Sequence, residues 1–229
     1  MIAEMIREIA IYDMDRTITR QATFAPFLWH AALRLAPWRL LLAPLIPPLL
    51  IAYQLRWIDR ARLKEMMQHI ILGAHTGRAE LARVAASFAE HTLAENIHLG
   101  AFKAIALDRA AGRRLVMATA SYRVYVQAIA DQLGFDDVIA TNNLTGLDDR
   151  IIARIDGENC YGPAKLRMIH RWMSGQEIDR HSVRIRFYSD HASDAPVLEW
   201  ADEAYAVNAH DKLRRLAAER GWAILDWGE

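Results

Sequence analysis

Ile9-Ala10-Ile11-Tyr12-Asp13-Met14-Asp15-Arg16-Thr17 carries the strongest signal of fold: four apolar residues read as a short buried strand, and two carboxylates one residue apart follow at its end. Side chains placed there meet the carboxyl edge of a sheet, where open α/β folds gather their ligands. Three distant stretches answer this one. Thr119 follows the apolar run 115–118, Lys165 opens a helical stretch after Gly162, and Asp190 with Asp194 follows the apolar run 185–188. Any one of them alone reads as a helix cap or a solvated residue. Their joint placement at successive strand ends reads as chemistry.

From residue 99 onward, short β-rich runs alternate with helical stretches, which predicts βα units building a mainly parallel sheet flanked by helices. Strands are expected near 7–12, 114–118, 137–140, 184–188, 203–207 and 222–225. Apolar spacing predicts helices over 122–133, 163–173 and 211–220, the second starting with proline at a favoured first-turn position. Residues 141–161 break the rhythm with Asn142, Asn143, Gly146 and Gly157, and predict a small antiparallel excursion. Between the first two strands about eighty residues lack β character, too long for a structureless connection. Helical spacing in 61–72 and 81–93, with Thr76 and Gly77 as the break, predicts an inserted all-helical cap. The expected division is a catalytic core of residues 1–20 and 100–229 with a cap of 21–99.

The residue types specify a reaction. Asp13 suits nucleophilic attack on phosphorus, and Asp15 suits protonating the leaving oxygen and then deprotonating water. Acids beside a phosphate repel it unless cations intervene. Asp190 is expected to join Asp13 in holding Mg²⁺, a hard ion that takes one or two carboxylates and shares substrate phosphates. Lys165 supplies a fixed charge, and the Thr119 hydroxyl with nearby amides supplies hydrogen bonds to the phosphoryl oxygens. Asp194 is placed to orient Lys165 or a water at the metal rather than to ligate.

Asp13-Met14-Asp15-Arg16-Thr17, Thr119-Ala120-Ser121, Lys165, and Tyr188-Ser189-Asp190 with Asp194 resemble, in order and spacing, the four motifs of the haloacid dehalogenase superfamily. With the helical insertion after the first motif, the chain is similar to the phosphoserine-phosphatase-like subfamily IB. The resemblance covers essentially the whole chain. It implies a Rossmann-like core, Asp13 as nucleophile, Asp15 as acid/base, and Mg²⁺ between Asp13, the backbone carbonyl of Asp15, and Asp190. It also implies a phosphate site shared by Thr17, Thr119, Ala120 and Lys165. Two positions depart from the pattern: Arg16 stands where glycine is common, and His191 where serine is frequent.

The composition limits partners. Twenty-eight Lys and Arg balance twenty-eight Asp and Glu, so no global field draws the chain to nucleic acid. A single cysteine, Cys160, and the lack of a signal-like start predict a structural thiol and a cytoplasmic setting. The nine histidines lack the close paired spacing of a zinc site. Residues 40–53 carry no charge, contain Pro44, Pro47 and Pro48, and are flanked by arginines. They read first as a helical hairpin packing in a lid, and second as peripheral membrane contact. Trp29, Trp38 and Trp57 read first as packing and second as the lining of a substrate entrance. The expected function is Mg²⁺-dependent hydrolysis of a phosphomonoester through an aspartyl phosphate, on a small phosphorylated metabolite or a phospholipid headgroup. A phosphotransferase using the same intermediate and a non-catalytic phosphate-binding regulator at a membrane surface are the alternatives.

Overall fold

The computed structural model describes residues 7–228. Its centre is an eight-stranded sheet in the order β2-β5-β4-β3-β1-β6-β7-β8. These are β1 (Arg7–Tyr12), β2 (His75–Gly77), β3 (Arg114–Tyr122), β4 (Asp137–Thr145), β5 (Arg150–Asp156), β6 (Val183–Ser189), β7 (Glu203–Val207) and β8 (Ala223–Leu225). Strand β1 pairs in parallel with β3 and β6, and β4, β7 and β8 extend the parallel set. The antiparallel excursion is β5, which returns along β4.

Alternation along β1 explains the two helical layers. Ile9 and Ile11 face one buried cluster, with Ile169 and Met173 of α7 (Pro163–Gly175), Val197 of α8 (Ala195–Trp200) and Leu213 of α9 (Asp211–Arg220). Ala10 and Tyr12 face the other, with α5 (Leu99–Ala110), α6 (Arg123–Leu133) and the helices of residues 24–95. Strands buried on both faces read as continuous apolar runs, which is why the period-2 signal is hidden in β1 and β3.

The long connection after β1 is helical. It holds α1 (Phe24–Leu35), a 3₁₀ segment (Pro37–Leu45), α2 (Ile46–Gln54), α3 (Arg60–Leu72) and α4 (Arg78–Glu95). Asp59 caps α3 by accepting from the Arg62 N–H (2.7 Å), and Gly73 ends it at φ 95°. One feature differs from an all-helical insertion: His75–Gly77, read as a break, is strand β2 and pairs antiparallel with β5 at the sheet edge. Three residues carry no period of their own, and the ladder is supplied by a partner about seventy-five residues away.

A second difference lies in residues 37–54, where neither the 3₁₀ segment nor α2 buries a residue fully. Leu40, Ala43, Ile46 and Leu49 pack on the core while their neighbours stay bare. Trp29, Trp38 and Trp57, read as packing, are exposed by 53%, 62% and 77%. Apolar character alone does not say which side of a helix is covered. Among the described residues no helix is long and apolar enough to cross a membrane.

Candidate active site

The carboxyl ends of β1, β3 and β6, with the start of α7, bring the four stretches to one cavity of about 400 Å³. Asp13, Asp15, Thr119, Ala120, Lys165, Asp190 and Asp194 all line it. Another cavity of about 400 Å³, between α3 and β5, contains none of these residues.

Lys165 is the pivot. It lies in the first turn of α7, which Pro163 opens at a position where a missing N–H is harmless. Its ammonium donates to Asp13 Oδ1 (2.9 Å) and Asp194 Oδ2 (2.6 Å), and all three side chains are buried. Burial by itself would lower the Lys165 pKa, but the Asp13 and Asp194 carboxylates outweigh it and raise the value, so the ammonium stays charged. Asp194 Oδ2 also accepts from the Ser189 hydroxyl (2.7 Å), while Oδ1 is buried without a partner among the described residues. Asp194 begins α8 yet makes no side-chain cap there, because its carboxylate is turned to Lys165.

Thr17 ties the first and last motifs together. Its hydroxyl stands 3.4 Å from Asp13 Oδ2 and 3.3 Å from Asp190 Oδ1, and accepts from the Asp190 N–H at 2.9 Å. Expected to bind phosphate, Thr17 is instead fully buried behind the carboxylates and outside the cavity lining. Burial pushes the Asp13 carboxyl up to about 7, with Lys165 opposing and Asp194 and Asp190 reinforcing the rise. Burial likewise pushes Asp190 up to about 6. Three buried acids around one ammonium leave negative charge uncompensated in a poorly solvated place.

That excess is the test for a divalent cation, and the donor set passes it: all donors are oxygen, as a hard ion requires. Among the described residues no three His, Cys, Asp or Glu side chains gather into a ligand set. The arrangement therefore offers two carboxylates, Asp13 and Asp190, and leaves further ligation to backbone oxygen. The Asp15 side chain is committed elsewhere. Its Oδ1 accepts from the Thr23 N–H and hydroxyl, both at 2.7 Å, and its Oδ2 from the Ser121 hydroxyl at 2.6 Å.

Ser121 reaches Asp15 because β3 runs on to Tyr122 with a register shift against β4 between Thr119 and Tyr122. The shift re-aims the strand end, as bulges beside active sites do. The Thr119 hydroxyl accepts from the Ser121 N–H (3.2 Å). Arg16 sits at φ 64°, the left-handed region where glycine costs least, which explains glycine as the commoner residue there. The Arg16 side chain is exposed at the cavity mouth. His191 caps the turn leading to Asp194, its Nδ1 accepting from the Ser193 N–H (3.1 Å).

Sequence reading missed Lys64. It rises from α3 into the cavity, buried, and donates to the Ala120 carbonyl (2.5 Å) and Asn159 Oδ1 (3.2 Å). Its ammonium lies 4.2 Å from the Tyr122 ring centroid and 5.6 Å from that of Phe24. Burial, helped by Arg60, lowers its pKa to about 7. The available signal was a Lys and a Gln, residues 64 and 68, one turn apart on the buried side of α3 beside Leu63, Met67 and Ile71.

Residues 10–199 match the haloacid dehalogenase-like hydrolase family, and the chain belongs to that family. The protein CicA of Caulobacter vibrioides is 31% identical over 208 residues, covering 89% of this chain and 88% of its own. A phosphoserine phosphatase of Mycobacterium tuberculosis is 28% identical over 149 residues, covering 65% of this chain and 47% of its own. The chain spans about half the length of several curated relatives that it matches, from 41% to 53%. A Bordetella pertussis protein of unknown function shares the fold with a TM-score of 0.84 at 23% identity, over 96% of this chain and 99% of that one.

Proposed function

We propose that the protein is a Mg²⁺-dependent phosphomonoester hydrolase working through an aspartyl phosphate, with residues 21–99 acting as a cap over a core of 1–20 and 100–229. The single observation that carries this reading is the buried Asp13-Lys165-Asp194 chain at the floor of a cavity that Asp15 and Asp190 also line. Asp13 attacks phosphorus, the P–O bond to the leaving group breaks, and Asp15 protonates the departing oxygen. Asp15 then takes a proton from water, whose oxygen attacks the aspartyl phosphate and frees Asp13 and inorganic phosphate. Lys165 holds Asp13 in place and offsets charge on the phosphoryl oxygens, with Thr119 and the amides around Ala120 as hydrogen-bond donors. A divalent ion held by Asp13, Asp190 and the Asp15 carbonyl would supply Lewis acidity and neutralise the remaining negative charge. Substrate choice falls to the residues that the helices add to the mouth, Phe24, Leu50, Tyr53 and Lys64 among them.

A screen of phosphate esters, from phosphorylated amino acids and sugars to phospholipid headgroups, run with Mg²⁺ and with chelator, tests the mechanism. Phosphate release that needs the metal supports it. Release indifferent to chelator overturns it, and transfer to added alcohol in place of release points to a phosphotransferase.

Cation binding also has a stability readout. Carboxyls raised to about 7 for Asp13 and about 6 for Asp190 hold protons in the folded chain that the unfolded chain has lost. Their contribution is complete below about pH 4 and is lost as pH climbs toward 7. Mg²⁺ must displace those protons at pH 5 but meets bare carboxylates at pH 8. Saturating Mg²⁺ is therefore expected to raise the melting midpoint by about 5 °C or more at pH 8 and by much less at pH 5.

Thr23→Val removes one of the three hydrogen bonds that aim Asp15. We expect kcat to fall about tenfold to a hundredfold with KM little changed, and Thr23→Ser, which keeps the hydroxyl, to recover most of the loss. Equal kcat in Thr23→Val and the parent would show that the Thr23 hydroxyl does not aim Asp15.

A further inference from the structure

The outer surface of residues 29–57 is apolar where a surface helix should be polar. Most of the large hydrophobic residues exposed among the described ones fall in this stretch, including Trp38, Leu41, Leu45, Ile51, Leu55 and Trp57. Leu41 is 81% exposed. The inner side of the same turns, Leu40, Ala43, Ile46 and Leu49, already packs on the core. Rotating the turns of residues 40–55 cannot bring a charge outward, because that stretch contains no Asp, Glu, Lys or Arg. A helix apolar all round belongs in a core or in lipid, and an uncovered patch of this extent marks an interaction surface.

The charges around it choose the partner. Between Asp15 and Asp59 there is no acidic residue, while Arg16, Arg20, Arg34, Arg39 and Arg56 all fall in that span. Arg34 and Arg39 spend hydrogen bonds on backbone carbonyls, those of His30 and of His69 and Ile70, and among the described residues no carboxylate pairs with either. Arg39 ties the 3₁₀ segment to the end of α3, which presents the patch as a fixed surface. Tryptophans at 38 and 57 sit at the two ends of the apolar stretch, each beside an arginine, Arg39 and Arg56. Aromatic and basic residues rimming an apolar face fit the boundary between acyl chains and anionic headgroups.

We propose that this face docks on an anionic lipid bilayer, lying on it without crossing it. The placement is continuous with the candidate active site: Leu50 and Tyr53 belong to the apolar stretch and also line the cavity that holds Asp13 and Lys165. A docked molecule thus opens its cavity beside the headgroup layer.

Cosedimentation of the full chain with vesicles of equimolar phosphatidylglycerol and phosphatidylcholine, against phosphatidylcholine alone, tests the proposal. Binding to the anionic vesicles is expected to exceed binding to the neutral ones by about tenfold and to weaken as salt is added. The double variant Leu41→Glu, Trp57→Glu changes two exposed residues outside the cavity. It is expected to lose about tenfold in vesicle binding while hydrolysing a soluble aryl phosphate at the parent rate. Asp13→Asn should bind vesicles like the parent, so failure of the catalytic reading and failure of docking are told apart. Equal binding to both vesicles, or full binding by the double variant, overturns docking. So does a parent that ignores vesicles and forms a dimer that the double variant dissolves, which would assign the face to a second copy of the chain.

Discussion

Asp13→Asn is expected to lower turnover of any phosphate ester the enzyme accepts by about 10⁴-fold or more, without weakening the fold. The two halves of this expectation have different causes. Turnover falls because an amide oxygen is not a nucleophile that phosphorus can capture and then release. The fold survives because Asn keeps an oxygen for the Lys165 ammonium, which now donates to Asp13 Oδ1 at 2.9 Å. Burial pushes the Asp13 carboxyl up to about 7, so its ionised form is a cost at pH 8. Removing that charge should leave urea stability in chelator unchanged or raise it by about 1 kcal/mol. A variant both inactive and strongly destabilised would mean that Asp13 is chiefly a structural partner of Lys165.

Lys165→Met should behave in the opposite way. Among the described residues it removes the one ammonium between Asp13 and Asp194, and these acids with Asp190 are then left buried together. Deleting one member of a buried ion pair costs about 3–5 kcal/mol, because the partner charges stay desolvated. The loss should be largest at pH 8 and should shrink toward pH 5. Without Lys165 the Asp13 and Asp190 carboxyls, already raised by burial, hold their protons more tightly still in the folded chain, so stability drains away as pH rises through their titration. Urea unfolding at both pH values measures it. A loss under about 1 kcal/mol at pH 8 would show that the acids are better solvated than their burial implies. Activity should fall as well, since Asp13 loses its anchor.

Much of the core was legible because its signals are local. The strand preceding Asp13, proline at the first turn of α7, and glycines at loop ends each carry their meaning in a few residues. Asp190 and Asp194 were legible only jointly, because each alone reads as a helix cap and the meaning lies in their order with the other stretches at successive strand ends. What escaped depends on partners far along the chain. Strand β2 exists because β5 offers it a ladder. Lys64 reads as one more solvated lysine until the carbonyl of Ala120 and the ring of Tyr122 are brought over it. Thr17 resembles a phosphate ligand because motif order says nothing about which way a hydroxyl points, and the fold turns it toward Asp190. The tryptophans mislead for a related reason: apolar spacing marks a helix, and burial depends on what packs against it.

The most direct test is to quench the enzyme in acid during turnover of a phosphate ester and locate the phosphoryl group on the chain. Nucleophilic attack by Asp13 requires it on the peptide carrying that residue, labile to hydroxylamine as an acyl phosphate is, and absent from Asp13→Asn. A phosphoryl group on a serine or histidine, or steady turnover by Asp13→Asn, would contradict it.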